Sequence, residues 1–292
     1  MARLGDAALL LVTLIWGTTF VVVKVGVETV DPLAFVAARF AVGALALAAL
    51  SWRRLRAAPA ALWRAGALLG AALFAGFALQ TIGLRESTPA RAAFITGLNV
   101  VLVPLFAAAL TARRPGRAAL VGVAVSFAGM ALLSAPLTAD EWSGGSWRGD
   151  ALVLGCALAF ALHIVGVGHF AGRHDLAAIT SVQLVAAAAL AALVGGATGA
   201  RPPADPASWP AIGYLGLAAT ALVFLLQNWA QIHTSPTHTA LIFALEPVFA
   251  ALFSWLFYGE ALTERAAAGG LLIVAGMVVS ELGGRQPTPP TE

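Results

Sequence analysis

Two polar side chains stand in the middle of long apolar runs and set the chemistry open to this chain. Glu246 lies in ALIFALEPVFAALFSWLF, and Asn99 lies in AAFITGLNVVLVPLFAAAL. An ionisable group at the centre of an apolar span is costly in a bilayer, so Glu246 reads as a functional site by default. The structural alternative is a protonated carboxyl tied to a neighbouring helix as glue. The functional reading is a carboxylate that exchanges a proton during a transport cycle, because withdrawal from water erodes the usual preference for the charged form. Asn99 then serves beside it as a fixed hydrogen-bonding group.

Other candidates follow from residue type and depth. Arg39 lies about one turn into the second apolar segment, deep enough to need a partner or an aqueous cavity. Its planar fork of donors suits a substrate carboxylate, in which case Arg39→Lys should spare substrates without one. The alternatives are a structural ion pair or snorkelling to the interface. Lys24, at the outer end of the first segment, reads as an interfacial anchor. Trp16 and Thr19 share a helical face that either lines a cavity or packs. His163 could titrate near neutral pH or sit in the core as a neutral hydrogen-bonding ring. Gln80, Gln183 and Gln227 supply neutral hydrogen-bonding groups for a substrate, whereas Gln231 should reach the cytoplasmic interface and be wet. Pro104 and Pro247 each remove a backbone donor, freeing the carbonyls of Val100 and Phe243 either for a substrate ammonium or merely to shape a kink.

Motifs of enzymes are missing from the sequence. It has no GxxxxGK[ST] loop, no HExxH helix and no G-x-S-x-G elbow. His163 and His169, like His233 and His238, miss the i, i+4 spacing of a zinc helix. Cys156 is the single cysteine, which excludes an intramolecular disulfide and a multi-cysteine metal site. The net charge of +3 is small and scattered, so nucleic acid is not an expected partner. No catalytic residue, metal or cofactor is expected.

The elements that must position these residues are membrane helices. Hydrophobic residues make up 60% of the 292 and charged ones 11%, against about 25% charged in a soluble domain. Apolar segments run Leu4–Val23, Pro32–Leu50, Leu62–Leu84, Pro89–Leu110 and Ala118–Ala135, then Asp150–Phe170, Ala177–Ala197, Trp209–Ile232, Pro236–Phe257 and Glu264–Ser280. Each is near the length that crosses a hydrocarbon core, and none alternates like a strand, so helices are the spanning option. The expected fold is all-α and integral to the membrane.

The segments also repeat. Shifting the chain by 147 residues, which carries Asn99 onto Glu246, superposes Gln80 on Gln227, Pro89 on Pro236 and Leu105-Phe106 on Leu252-Phe253. It also carries Ala128-Gly129-Met130 onto Ala275-Gly276-Met277 and Trp16 onto His163. The expectation is ten transmembrane helices as two five-helix repeats, residues 1–137 and 147–284, followed by a disordered tail, 285–292. An odd number of helices per repeat makes the second enter the membrane upside down, an arrangement that places a transport site at the repeat interface. Arg53, Arg54, Arg56 and Arg64 in one loop, with Arg113, Arg114 and Arg117 in another, put both termini on the cytoplasmic side. The paired glycines, Gly66/Gly213, Gly122/Gly269 and Gly129/Gly276, read as close helix packing.

Several pieces together carry a family resemblance. Trp16-Gly17 and Lys24 are followed by Asp31-Pro32 and Arg39, then by Ala244-Leu245-Glu246-Pro247-Val248-Phe249 and Gly259-Glu260-Ala261-Leu262-Thr263. This sequence resembles the EamA family of the drug/metabolite transporter superfamily over nearly its whole length. The resemblance implies a central cavity between the halves, alternating access, and movement of a small solute, often export of amino acids or related metabolites. The location expected is a bacterial-type inner (plasma) membrane, with the bilayer and a small-molecule substrate as partners, and a proton through Glu246. A drug or nucleotide-sugar carrier is the alternative within the superfamily. A non-transporting scaffold or an intramembrane enzyme is the alternative outside it.

Overall fold

A computed structural model describes residues 2–87, 89–111, 115–134, 146–258 and 263–284. Arg113, Arg114, Arg285, residues 259–262, the tail and most of the linker 136–149 lie outside the described residues. Every regular element among those described is helical. They are α1 (Ala2–Gly17), α2 (Thr19–Thr29), α3 (Pro32–Arg56), α4 (Ala60–Arg85), α5 (Pro89–Gly97), α6 (Asn99–Thr111) and α7 (Arg117–Ser134). The second half holds α8 (Trp147–Phe170), α9 (Leu176–Ala197), α10 (Trp209–Gly216), α11 (Val223–Gln231), α12 (Pro236–Phe243), α13 (Glu246–Tyr258) and α14 (Glu264–Gly284). A π-turn, Leu217–Leu222, joins α10 to α11.

Eight of the described helical stretches are long and apolar enough to cross a membrane. The chain is an integral membrane protein, and the apolar segments of the sequence fall on its helices. α7 is a shorter apolar helix, and α14 packs along it.

Helix starts follow their caps. Asp31 accepts from the amides of Leu33 and Ala34 with Pro32 at the first helical position, and Asp175 caps α9 through Ala178. Ser146 caps α8 through Gly149, and Ser235 caps α12 through His238. Each cap satisfies amides that the first turn leaves without a partner. Arg53, Arg54 and Arg56 close α3, where cations suit the negative end of the helix dipole.

Three spans are broken in mid-course, and the sequence reading did not foresee how. The first changes register at Thr18, whose amide and hydroxyl both donate to Ile15 O. The α5–α6 span breaks at Leu98, and the α12–α13 span breaks at Ala244-Leu245. Leu98 and Leu245 are equivalent under the 147-residue shift. The two breaks do not share a proline: Pro104 lies inside α6, six residues past the first, while Pro247 lies in the first turn of α13 and can give no bond to Phe243 O across the second. Tight i to i+3 bonds mark both bends, from Leu98 N to Ile95 O at 3.1 Å and from Leu245 N to Ile242 O at 3.1 Å. Irregular backbone at membrane depth is tolerated where it is buried in protein or lines a cavity.

Packing between the halves is reciprocal. A Cβ placed on Gly122 would meet Gly276 O at 2.5 Å, and one on Gly276 would meet Gly122 O at 2.5 Å. Gly129 and Gly269 stand in the same mutual relation at 2.6 Å. Small residues here let α7 and α14 touch backbone to backbone, the usual means of helix association in lipid. The third pair differs: Gly66 abuts Val182, but Gly213 has open space where its Cβ would be. Elsewhere α4 packs on α8 as α11 packs on α1, and α6 on α8 as α13 on α1.

Candidate functional site

The helix breaks surround a cavity. Residues on either side of each break line it: Trp16 and Thr19 around Thr18, Thr96 and Asn99 around Leu98, Phe243 and Glu246 around Ala244-Leu245. The remaining walls come from Phe77 and Gln80 on α4, from Phe160, His163 and Ile164 on α8, and from Phe224 and Gln227 on α11. The lining pairs up under the 147-residue shift. Trp16 matches His163, Phe77 matches Phe224, Gln80 matches Gln227, Thr96 matches Phe243 and Asn99 matches Glu246. The two halves thus contribute equivalent positions to one chamber.

Trp16, Thr19, Gln80, Asn99, His163, Gln227 and Glu246, all singled out in the sequence, meet in this cavity. Gln183 and Arg39 do not line it. Gln183 stands behind His163, its Oε1 3.0 Å from the imidazole Nε2. Arg39 is buried behind Phe77, with its guanidinium carbon 4.6 Å from the Phe77 ring centroid. Its fork is already occupied: Nε and a terminal nitrogen donate to Thr220 Oγ1 at 3.2 and 3.0 Å, and the terminal nitrogen also donates to Ala219 O at 3.3 Å. Ala219 and Thr220 belong to the π-turn, and Ala219 O also accepts from Trp16 Nε1 at 3.3 Å. A π-turn loosens the regular ladder and can turn a carbonyl outward. Arg39 therefore forms neither an ion pair nor a snorkel among the described residues.

Two other polar positions differ from the sequence reading. Lys24 donates from Nζ to Leu84 O at 2.7 Å and Ser87 O at 3.3 Å, closing the end of α4 as well as marking the interface. Gln231 is buried rather than wet. It accepts from Gln227 Nε2 at 2.9 Å and donates to Ile164 O at 2.9 Å, so a carbonyl of α8 draws it inward. The same bonds orient Gln227. In the first half, Gln80 Nε2 donates to Thr96 Oγ1 at 3.2 Å, and that hydroxyl lies 3.9 Å from Cys156 Sγ.

The sequence reading did not single out Thr96 or the rings of Phe77, Phe160, Phe224 and Phe243. The rings form a continuous wall with Trp16, whose centroid lies 5.7 Å from Phe224 and 5.0 Å from Phe243. Phe77 joins this wall to Phe160 at 5.1 Å. The 147-residue shift was the one signal that could have found part of the wall, because it matches Phe77 to Phe224.

An all-helical membrane protein that turns its polar side chains inward onto one chamber has the build of a solute transporter. This chain belongs to the EamA-like transporter family, whose model matches residues 3–135 and, again, 147–281. An uncharacterised transporter of Archaeoglobus fulgidus is 31% identical over 280 residues, which covers 95% of this chain and 86% of its own. The uncharacterised inner membrane transporter YedA of Escherichia coli K12 is 28% identical over 288 residues, 94% of this chain and 89% of its own. A shorter match, 27% over 111 residues, joins 38% of this chain to 37% of a probable terminal-alkyne amino-acid exporter of Streptantibioticus cattleyicolor. One crystal structure shares the fold with a TM-score of 0.77 at 23% identity, over 98% of both chains.

Proposed function

We propose that the chain is a secondary transporter that exports small metabolites such as amino acids, by alternating access through the cavity between two inverted five-helix repeats. The observation that carries this reading is the paired lining, in which both halves offer equivalent residues to one chamber. The double match of the family model and the reciprocal glycine contacts of α7 and α14 support the repeats, 1–137 and 147–284. In this reading α7 and α14 also cross the bilayer, giving ten spans. The basic loops support cytoplasmic termini, and the exporter from Streptantibioticus cattleyicolor supports both the direction and the amino-acid class.

Glu246 is the proton-coupling group and Asn99 its fixed counterpart in the other repeat. Trp16, Thr19, His163, Gln80 and Gln227 contact the substrate, while Gln183 and Arg39 act from behind His163 and Phe77. Among the described residues the carboxylate of Glu246 has no hydrogen-bond or ion-pair partner, and no other charged side chain lines the cavity. The neighbouring titratable groups are His163 and Cys156, both on α8.

Proteoliposomes with an imposed pH gradient test the reading. Glu246→Gln keeps the shape and hydrogen bonding but cannot exchange a proton. It should abolish accumulation driven by the gradient while leaving substrate exchange in place at saturating substrate. Normal transport by this variant at every pH would return Glu246 to the role of helix glue.

A further inference from the structure

The charge in the lining of the cavity is one-sided, and that side points to the ligand class. Ile164 O takes the amide nitrogen of Gln231, so Gln231 turns its oxygen to Gln227 and Gln227 must answer with its nitrogen. The end left over is Gln227 Oε1, which has no donor among the described residues. Its equivalent in the first half is tied in the same sense: Gln80 gives its nitrogen to Thr96 and leaves its oxygen. Asn99 Oδ1 is also buried without a donor, although Asn99 is only 6% exposed. Glu246 adds a carboxylate with no partner among the described residues. Four acceptor-bearing side chains therefore share one chamber.

The cationic side chains are held away from the ligand, and two of the neutral donors are spent. Trp16 Nε1 is committed to Ala219 O, and Thr19 Oγ1 donates to Trp16 O at 2.8 Å. Arg39 is bonded to the π-turn behind Phe77, and Lys24 to carbonyls at the end of α4. Past the helix breaks, the amides of Val101 and Leu102 are taken by Leu98 O, and that of Phe249 by Leu245 O. A carboxylate or phosphate would find no free donor of positive charge there, and burying an unmatched anion is costly. The aromatic wall of Trp16, Phe77, Phe160, Phe224 and Phe243 offers ring faces, which attract cations and flat apolar groups.

We propose that the cavity takes an amphipathic organic amine: a cationic ammonium with N–H donors on an aromatic or similarly flat apolar body. The ammonium meets Glu246 and the amide oxygens of Gln227, Gln80 and Asn99. The apolar body lies against the rings. The inference rests on the reading of this cavity as the transport site and, among the small metabolites of that reading, selects amines without a free carboxylate over amino acids.

The test uses the purified full chain in detergent at pH 7 and four probes that share one phenyl body. These are 2-phenylethylamine, 2-phenylethanol, 3-phenylpropionate and L-phenylalanine, with binding measured calorimetrically. The amine should bind, and the other three should bind about tenfold more weakly or worse, because each lacks the cation or adds an unmatched anion. Glu246→Gln and Gln227→Leu should each weaken the amine without strengthening the alcohol. The probe series needs no variant, so it stands even where a substitution fails to fold. Equal or tighter binding of L-phenylalanine or 3-phenylpropionate overturns the proposal. So does equal binding of 2-phenylethanol, which would make the site a neutral aromatic slot. Efflux from proteoliposomes separates the two readings: an amine that binds through Glu246 but is not moved supports the ligand class and sinks the transport function.

Discussion

Arg39 shows how far the depth of a residue can be read and where that reading stops. An arginine one turn inside an apolar segment announces a demand for partners, and the sequence offers a substrate carboxylate, an ion pair or the interface. The structure meets the demand with Thr220 Oγ1, Ala219 O and the face of Phe77. Arg39→Lys keeps the charge but loses the planar fork and the stacking. Thr220→Val leaves the guanidinium with the Ala219 carbonyl alone. Each should destabilise the protein by about 1–3 kcal/mol, the cost of leaving a buried polar group short of partners. Thermal unfolding in detergent measures this, and transport of all substrates should fall alike. Selective loss of carboxylate-bearing substrates would instead restore the ligand role that the sequence suggested. Glu246, Asn99, Gln80 and Gln227 were legible because a polar group in an apolar run has few bland explanations. Thr96 and the four phenylalanines were not, because in a chain this apolar a ring on a helix looks the same whether it packs or lines a chamber. Gln231 misled for a related reason: its place near a helix end suggested water, and only the fold brings Ile164 O to it.

At the scale of elements, the repeat found in the sequence predicted which glycines matter, though not equally. Gly122, Gly129, Gly269 and Gly276 pair across α7 and α14 with no room for a methyl group, while Gly213 faces open space. Gly129→Ala should therefore lower stability by about 1–3 kcal/mol through overpacking against the Gly269 carbonyl. Gly213→Ala should leave stability unchanged or raise it by up to about 1 kcal/mol, since alanine restricts the unfolded chain and favours helix. The midpoints of thermal unfolding decide the pair, and a destabilised Gly213→Ala would contradict the open space. The break at Leu98 was illegible because nothing in GLN signals a bend, while at Leu245 the proline that follows ALE was the one visible sign. The π-turn in LAATAL was hidden too, with neither glycine nor proline to mark it. It shows only in the fold, where Arg39 and Trp16 both donate to Ala219 O.

At the scale of the whole molecule, two polar clusters tie the ends of the helices that surround the cavity. At one end Arg148 pairs with Glu86 at 3.3 Å, Ser146 Oγ donates to the same carboxylate at 2.9 Å, and Ser87 Oγ donates to Asp150 at 3.2 Å. At the other end His238 on α12 meets Asp6 on α1 at 3.0 Å. Alternating access requires each tie to open in turn, and the proposed orientation puts Glu86 and Arg148 outside, with Asp6 and His238 in the cytoplasm. Cys156 is the sole native cysteine and is buried, so introduced thiols can be addressed selectively. These ion pairs join long side chains, so a short bifunctional maleimide suits them better than a disulfide, which needs Cα atoms within about 7 Å. A membrane-impermeant version applied to intact cells should cross-link Glu86→Cys with Arg148→Cys, and should stop transport completely because the outer tie can no longer part. The same reagent should leave Asp6→Cys with His238→Cys untouched in cells but cross-link and inactivate it in inverted membrane vesicles. Reaction of the Asp6–His238 pair in intact cells would reverse the orientation. Full transport by a cross-linked pair would mean that its end of the molecule does not open during the cycle.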